Sequence, residues 1–155
     1  MAVPTDADVV ADYHDRCFRH TYATEILAGG MAVPDAEGTR LQLHEWFGIE
    51  SPFETHVAVV DDVPVGHVTV LDHCLVHLFV EPEHQGIGLG KRMLGLGEAE
   101  LAAAGHTSFE LHTRVENVNA IAFYLAAGWL MTEALLHTDE HGISYDEHVL
   151  VKQIS

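Results

Sequence analysis

Apolar and polar positions switch between helical and strand spacing five times along the chain. Val9, Val10, Tyr13, Cys17 and Phe18 recur at helical spacing, which predicts a helix from about Ala7 to Leu27. Thr5 or Asp6 is placed to cap it, and Gly29-Gly30 to end it. Val3-Pro4 is at most the remnant of a first strand. After a loop over 29–38, a second helix is predicted over Thr39 to Phe47, with Leu41, Leu43, Trp46 and Phe47 as its bulk. From Thr55 the spacing becomes that of strands. His56 to Val60 and Val65 to Leu71 read as an antiparallel hairpin across Asp61-Asp62-Val63-Pro64. Cys74 to Val80 is a third strand, stopped by Glu81-Pro82.

A helix then runs to about Ala104, with Leu89, Met93 and Leu96 on one side and Gly105 as its stop. Gly95 and Gly97 inside it each cost about 1 kcal/mol against alanine, so a close packing partner is expected. Phe109 to Val115 is a strand and Val118 to Ala127 a helix ended by Gly128. Trp129 to His137 and Ser144 to Ile154 read as two strands across an Asp139-Glu140-His141-Gly142 turn. The order is α-α-β-β-β-α-β-α-β-β. It predicts an α/β chain of α+β type, in which one mixed, mostly antiparallel sheet carries helices on both faces. Length and pattern fit a single domain over residues 1–155.

Composition narrows the function classes. Apolar runs fall far short of the ~20 residues of a membrane span, and the start has no cationic region or cleavage signature. No membrane association is expected. Cys17 and Cys74 are too few for a disulfide framework, so a reducing cytoplasm is the expected setting. Twenty-four acids face seven cations, for a net charge of −17. That balance argues against a nucleic-acid partner. The acids are scattered and only two cations are lysines, Lys91 and Lys152. This pattern fits a halophilic, salt-adapted protein better than a cationic partner.

The chemistry centres on Leu78 to Met93. An apolar strand end, Leu78-Phe79-Val80, is followed by Gln85-Gly86-Ile87-Gly88-Leu89-Gly90 and then a helix. Glycines bring backbone close to a ligand, and N–H groups at a helix start bind anions. A phosphate-bearing ligand follows, with Lys91 and Arg92 beside it. Arg92 breaks the G-K-[ST] ending of a P-loop, and the glycine spacing is wrong for a dinucleotide fingerprint. The run does match Q/R-x-x-G-x-G/A after a V-x-P strand end, and so resembles the acetyl-CoA loop of the GNAT N-acyltransferases. One strand later, Asn117, Ala120, Tyr124, Gly128 and Trp129 match N-x-x-A-x-x-x-Y-x-x-x-G-F/W, which looks like the next GNAT segment. Asp146, Val149 and Lys152 resemble the usual last strand. The resemblance covers about residues 55–155, and residues 1–54 fit as two leading helices.

The resemblance implies a GNAT-like fold with a V-shaped opening between the strands ending at Val80 and Val115. Acetyl-CoA, as cosubstrate, would pair its pantetheine with backbone of Leu78, Phe79 and Val80. Its pyrophosphate would meet N–H groups of Gln85 to Gly90. Gln85 stands where many relatives carry arginine. The implied reaction is direct attack of a primary amine, of a small molecule or of a protein N-terminus or lysine, on the thioester. Tyr124 matches the tyrosine that protonates the thiolate. His112 matches a glutamate base of the branch that acetylates protein N-termini, and histidine serves near neutral pH. His77 and His73 lie where other branches carry bases. Strand alternation puts Cys74, not His77, on the side of Val80 unless a bulge intervenes. An ordered water or another group is a further candidate.

Two other classes stay open. One is an acyl-CoA-binding protein with little catalysis. The other is a metal-binding or sensory module using the thirteen histidines. His73-x-x-x-His77 and His137-x-x-x-His141 have helical ligand spacing but sit on predicted strands or a turn, so no metal is expected. The acceptor amine is not legible, nor is the oligomeric state, a homodimer included.

Overall fold

The computed structural model describes residues 1–140 and 143–155. Its helices are α1 (Ala7–Thr21), α2 (Ala23–Leu27), α3 (Ala36–Trp46), α4 (Leu89–Ala103) and α5 (Val118–Ala126). Its strands are β1 (Glu54–Val60), β2 (Val63–Leu71), β3 (Cys74–Val80), β4 (Ser108–Arg114), β5 (Leu130–Glu140) and β6 (Ile143–Gln153). They form one six-stranded sheet in the order β1-β2-β3-β4-β6-β5. Among the described residues only β3 and β4 run parallel. The fold is the mixed, mostly antiparallel sheet that the pattern predicts. The expected turn at 139–142 includes His141 and Gly142, which lie outside the described residues.

Three local expectations change. The long first helix is broken at Tyr22, whose φ of −111° and ψ of 26° leave the helical region. The break buries Tyr22 with its ring centroid 4.8 Å from that of Phe18. The second helix begins at Ala36 because Asp35 caps it, its carboxylate accepting from Gly38 N at 2.9 Å. The suspected first strand is a 3₁₀ turn over Pro4–Asp6, preceded by one strand-like bond from Ala2 N to Thr55 O.

Each sheet face has its own core. On one face α4 and α5 cover Val68, Val70, Leu75, Phe109, Leu111 and Leu150, with Trp129 buried beside them. On the other, Val10, Tyr13 and Cys17 of α1 meet Leu43 and Phe47 of the α3 end, with Phe79 packed against them. Burying an aliphatic or aromatic side chain of this kind contributes about 1.5–3 kcal/mol.

A bulge in β3 connects this packing to the site. Thr69 faces His77 but Val70 faces Leu75, so Val76 is the extra residue. Leu75, Leu78 and Val80 therefore all pack toward α4 and α5. The expectation that Cys74 shares the side of Val80 is overturned by this bulge. It lies upstream of His77, so His77 stays with Phe79 on the α1 and α3 face.

Candidate active site

The cleft opens where β3 and β4 part. The two strands pair only at Cys74↔Glu110 and Leu75↔Leu111, and then diverge. Beyond Leu75 the β3 edge has no strand beside it. Glu81 N donates to Val65 O at 2.8 Å, and this sets the alternation of the β2–β3 ladder. Phe79 and His77 turn their backbone groups to β2. Leu78 and Val80 turn theirs to the cleft. Phe79 also lines the cleft, with its ring packed against His14 and His67. The Val80 carbonyl accepts from Gln85 Nε2 at 2.9 Å and from the Cys17 thiol at 3.1 Å. Gln85 is thereby folded back onto the strand end.

Below that edge the glycine run curls into α4. Gly86 and Gly88 have φ of 79° and 86°, and a Cβ at either would meet nothing within 4 Å. Left-handed backbone suits glycine, and the open space before it is a cradle. Gly88 is the N-cap residue of α4, with no side-chain cap for the first N–H groups. These are donors free for an anion. Of the remaining loop residues, Ile87 is exposed and Leu89 packs against the core. Gly90 borders the cleft between Val80 and Phe123, and Lys91 lines it.

Tyr124 and Asn117 stand where the glycine-loop end of the cleft meets its other end. Asn117 caps α5, its Oδ1 accepting from Ala120 N at 3.2 Å. This presents the second turn of α5, with Tyr124, to the opening. Tyr124 is 7% exposed, and burial pushes its phenol well above the ordinary value. It therefore holds its proton at neutral pH.

His112 lines the far end from β4, its Nε2 2.6 Å from Glu110 Oε1. Glu147 of β6 lies beside it, and burial raises that carboxyl against the opposing pull of His112 and Arg114. His77 also borders this end, but its ring is packed 4.7 Å from that of Trp46 and 5.6 Å from that of His14. Burial pushes its pKa down to about 3. Its Nδ1 lies 3.4 Å from His67 Nε2, and His67 Nδ1 shares a 2.5 Å hydrogen bond with the Tyr13 hydroxyl.

Arg114, Tyr145 and Glu147 line the same end and were not singled out in the sequence. Arg114 sits opposite Glu147 in the β4–β6 register. Only that pairing, between strands more than thirty positions apart, could have revealed them.

The spaced histidines go to different places. His73 meets Asp72 at 3.1 Å, while His77 lies beyond the bulge. His137 meets Asp146 at 2.6 Å, and His141 lies outside the described residues. A different group, His73, Cys74 and Glu110, brings possible ligand atoms within 4.8 Å of one another.

A sheet split between its two parallel strands, with a glycine-rich helix start at the split, leaves an open cleft with backbone donors at its floor. The chain belongs to the acetyltransferase (GNAT) family, whose model matches residues 10–129. No curated protein is matched by sequence. Solved structures share the fold. A GCN5-related N-acetyltransferase from Rhodopseudomonas palustris is 19% identical, with a TM-score of 0.80 over 98% of this chain and 92% of that one. YncA from Salmonella typhimurium, solved with acetyl-CoA, is 16% identical with a TM-score of 0.70 over 100% and 92%. PaiA from Thermoplasma acidophilum, solved with coenzyme A, is 16% identical with a TM-score of 0.69 over 98% and 95%. Among the described residues no helix is long and apolar enough to cross a membrane.

Proposed function

We propose that this chain transfers an acetyl group from acetyl-CoA to a primary amine by direct attack within one ternary complex. The observation that carries the reading is the divergence of β3 and β4 after Leu75 and Leu111, which leaves the Leu78 and Val80 backbone facing a cleft. The residues fit the donor. Leu78 and Val80 offer an open strand edge to an amide-bearing arm, and Gly86 to Gly90 offer N–H groups to a pyrophosphate, with Lys91 adding charge. The thioester, when bound, supplies the activated acyl group.

The chain's own residues then divide the work. The Val80 N–H polarises the thioester carbonyl. Tyr124 delivers a proton to the departing thiolate. His112, steadied by Glu110, takes the proton of the attacking amine directly or through a water. His77 is the poorer base, because its burial opposes protonation. The scattered acids support a protein adapted to a salt-rich cytoplasm.

The test is an assay of acetyl-CoA against a panel of amines, reading free thiol, with calorimetry of acetyl-CoA binding beside it. Amine-dependent thiol release supports transfer. Binding without release from any amine would favour a binding protein, and no binding would overturn the reading of the cleft.

A further inference from the structure

The cations of this acidic chain mark its anion sites. Arg16, Arg19, Arg40 and Lys152 are all ion-paired. Among the described residues Lys91, Arg92 and Arg114 form no ion pair, although twenty-four acids are present. Lys91 and Arg92 flank the glycine loop, where phosphate is expected. Arg114 lies at the opposite end of the cleft.

Its setting is built rather than incidental. The guanidinium carbon lies 4.0 Å from the Tyr145 ring centroid, 5.2 Å from that of Phe18 and 5.6 Å from that of Tyr22. The three rings hold the half-buried guanidinium by cation–π attraction. The guanidinium forms no ion pair among the described residues, and its N–H fork is shaped for a carboxylate. His112 is two residues away on the same side of β4, about 7 Å along the strand. Glu147 lies opposite Arg114 on the neighbouring strand, within electrostatic reach of both Arg114 and His112. An anion receptor and a proton acceptor thus stand one small molecule apart.

We propose that the acceptor is a free amino acid or a similarly small aminocarboxylate, held by Arg114 through its carboxylate while its amine lies against His112 and Glu147. The proposal rests on the acyltransferase reading above. A polyamine would bring positive charge to Arg114 and leave the guanidinium without a counter-charge from the substrate. A protein N-terminus or lysine has no main-chain carboxylate within reach.

The test sets free amino acids against their own carboxamides, with spermidine and a short peptide alongside, in the free-thiol assay. Some free acid should exceed its amide by at least about tenfold in kcat/KM. Arg114→Gln should raise KM for that acid by about 10- to 100-fold, the scale of hydrogen bonds to a charged group. The loss should fall on KM rather than kcat, and the gap between acid and amide should close. Arg114→Lys, which keeps the charge without the fork, should lie between. Amides or spermidine performing as well as the acids in the wild-type protein, which requires no variant to fold, would overturn the proposal. If acetyl-CoA binds but no amine releases thiol, the acyltransferase reading fails separately. Calorimetry of free amino acids with the protein then decides the Arg114 site: binding that Arg114→Gln abolishes upholds it, and no binding overturns it.

Discussion

Gly97 of α4 lies so close to Val68 of β2 that a Cβ on it would sit 2.8 Å from the valine Cγ2. Leu75 Cδ1 would be 3.2 Å away. The glycine is what allows the helix to seat on the sheet behind the cleft. Gly95, on the same helix, has nothing within 4 Å of that position. The two substitutions should therefore move stability in opposite directions. Gly97→Ala overpacks the core and should cost about 1–3 kcal/mol. Gly95→Ala should gain up to about 1 kcal/mol through helix propensity. Urea denaturation of both variants checks this, and equal shifts would contradict it.

That pair shows where sequence reading stops. Two glycines inside one helix predict a close approach, but the partner belongs to strands twenty to thirty positions earlier. The same limit recurs at the site. The glycine loop and the Asn117 to Trp129 segment are local patterns, and both fall where their spacing indicates. Arg114, Tyr145 and Glu147 meet only through the β4–β6 register, which chain closure sets. The Val76 bulge reverses the side of Cys74, and no residue type near it announces the extra position. The break at Tyr22 follows from an aromatic contact that helical spacing alone would have continued through.

Acid should destabilise the α1 face. His67 is fully buried, with His77 and His14 beside it, and Tyr13, Cys17, Phe47 and Phe79 complete the setting. Burial lowers the pKa of His14 to about 4, that of His77 to about 3 and that of His67 well below its ordinary value. In the unfolded chain each titrates near about 6.5. Their folded-state contribution is thus fully present above about pH 6.5. It is lost as pH falls from there toward 4 and 3, because the unfolded state takes up protons first. The loss between pH 7.5 and 5.5 should be on the order of 2–4 kcal/mol. Chemical denaturation at the two pH values measures it, and His77→Leu should shrink the difference. Equal stability at both would mean that these rings are not held neutral.

Salt should have the opposite effect. A net charge of −17 spread over the chain repels itself. The screening length falls from about 10 Å at 0.1 M to about 3 Å at 1 M. The thermal midpoint should climb steadily from low to molar KCl. A flat midpoint would remove the argument for salt adaptation and return attention to a cationic partner.

The acid and the base of the proposed transfer should separate in their pH dependence. Tyr124 is buried and neutral, and in the proposed transfer it acts late, on the thiolate. Tyr124→Phe removes the proton donor without emptying the space, so kcat should fall by about 10²–10⁴. Acetyl-CoA affinity by calorimetry should hold, and so should the shape of the acidic limb. In the proposed transfer His112 acts early, on the amine. His112→Ala should remove or displace the acidic limb of kcat/KM, and activity should recover as rising pH deprotonates the amine unaided. His77→Ala should keep the limb, because a ring whose burial holds its pKa near 3 is already neutral across the working range. The two alanine variants must be compared on one substrate. Loss of the limb in His77→Ala alone would transfer the role to that residue despite its burial. Retention in both would exclude both imidazoles, leaving Glu147, with its raised carboxyl pKa, or an ordered water to take the proton.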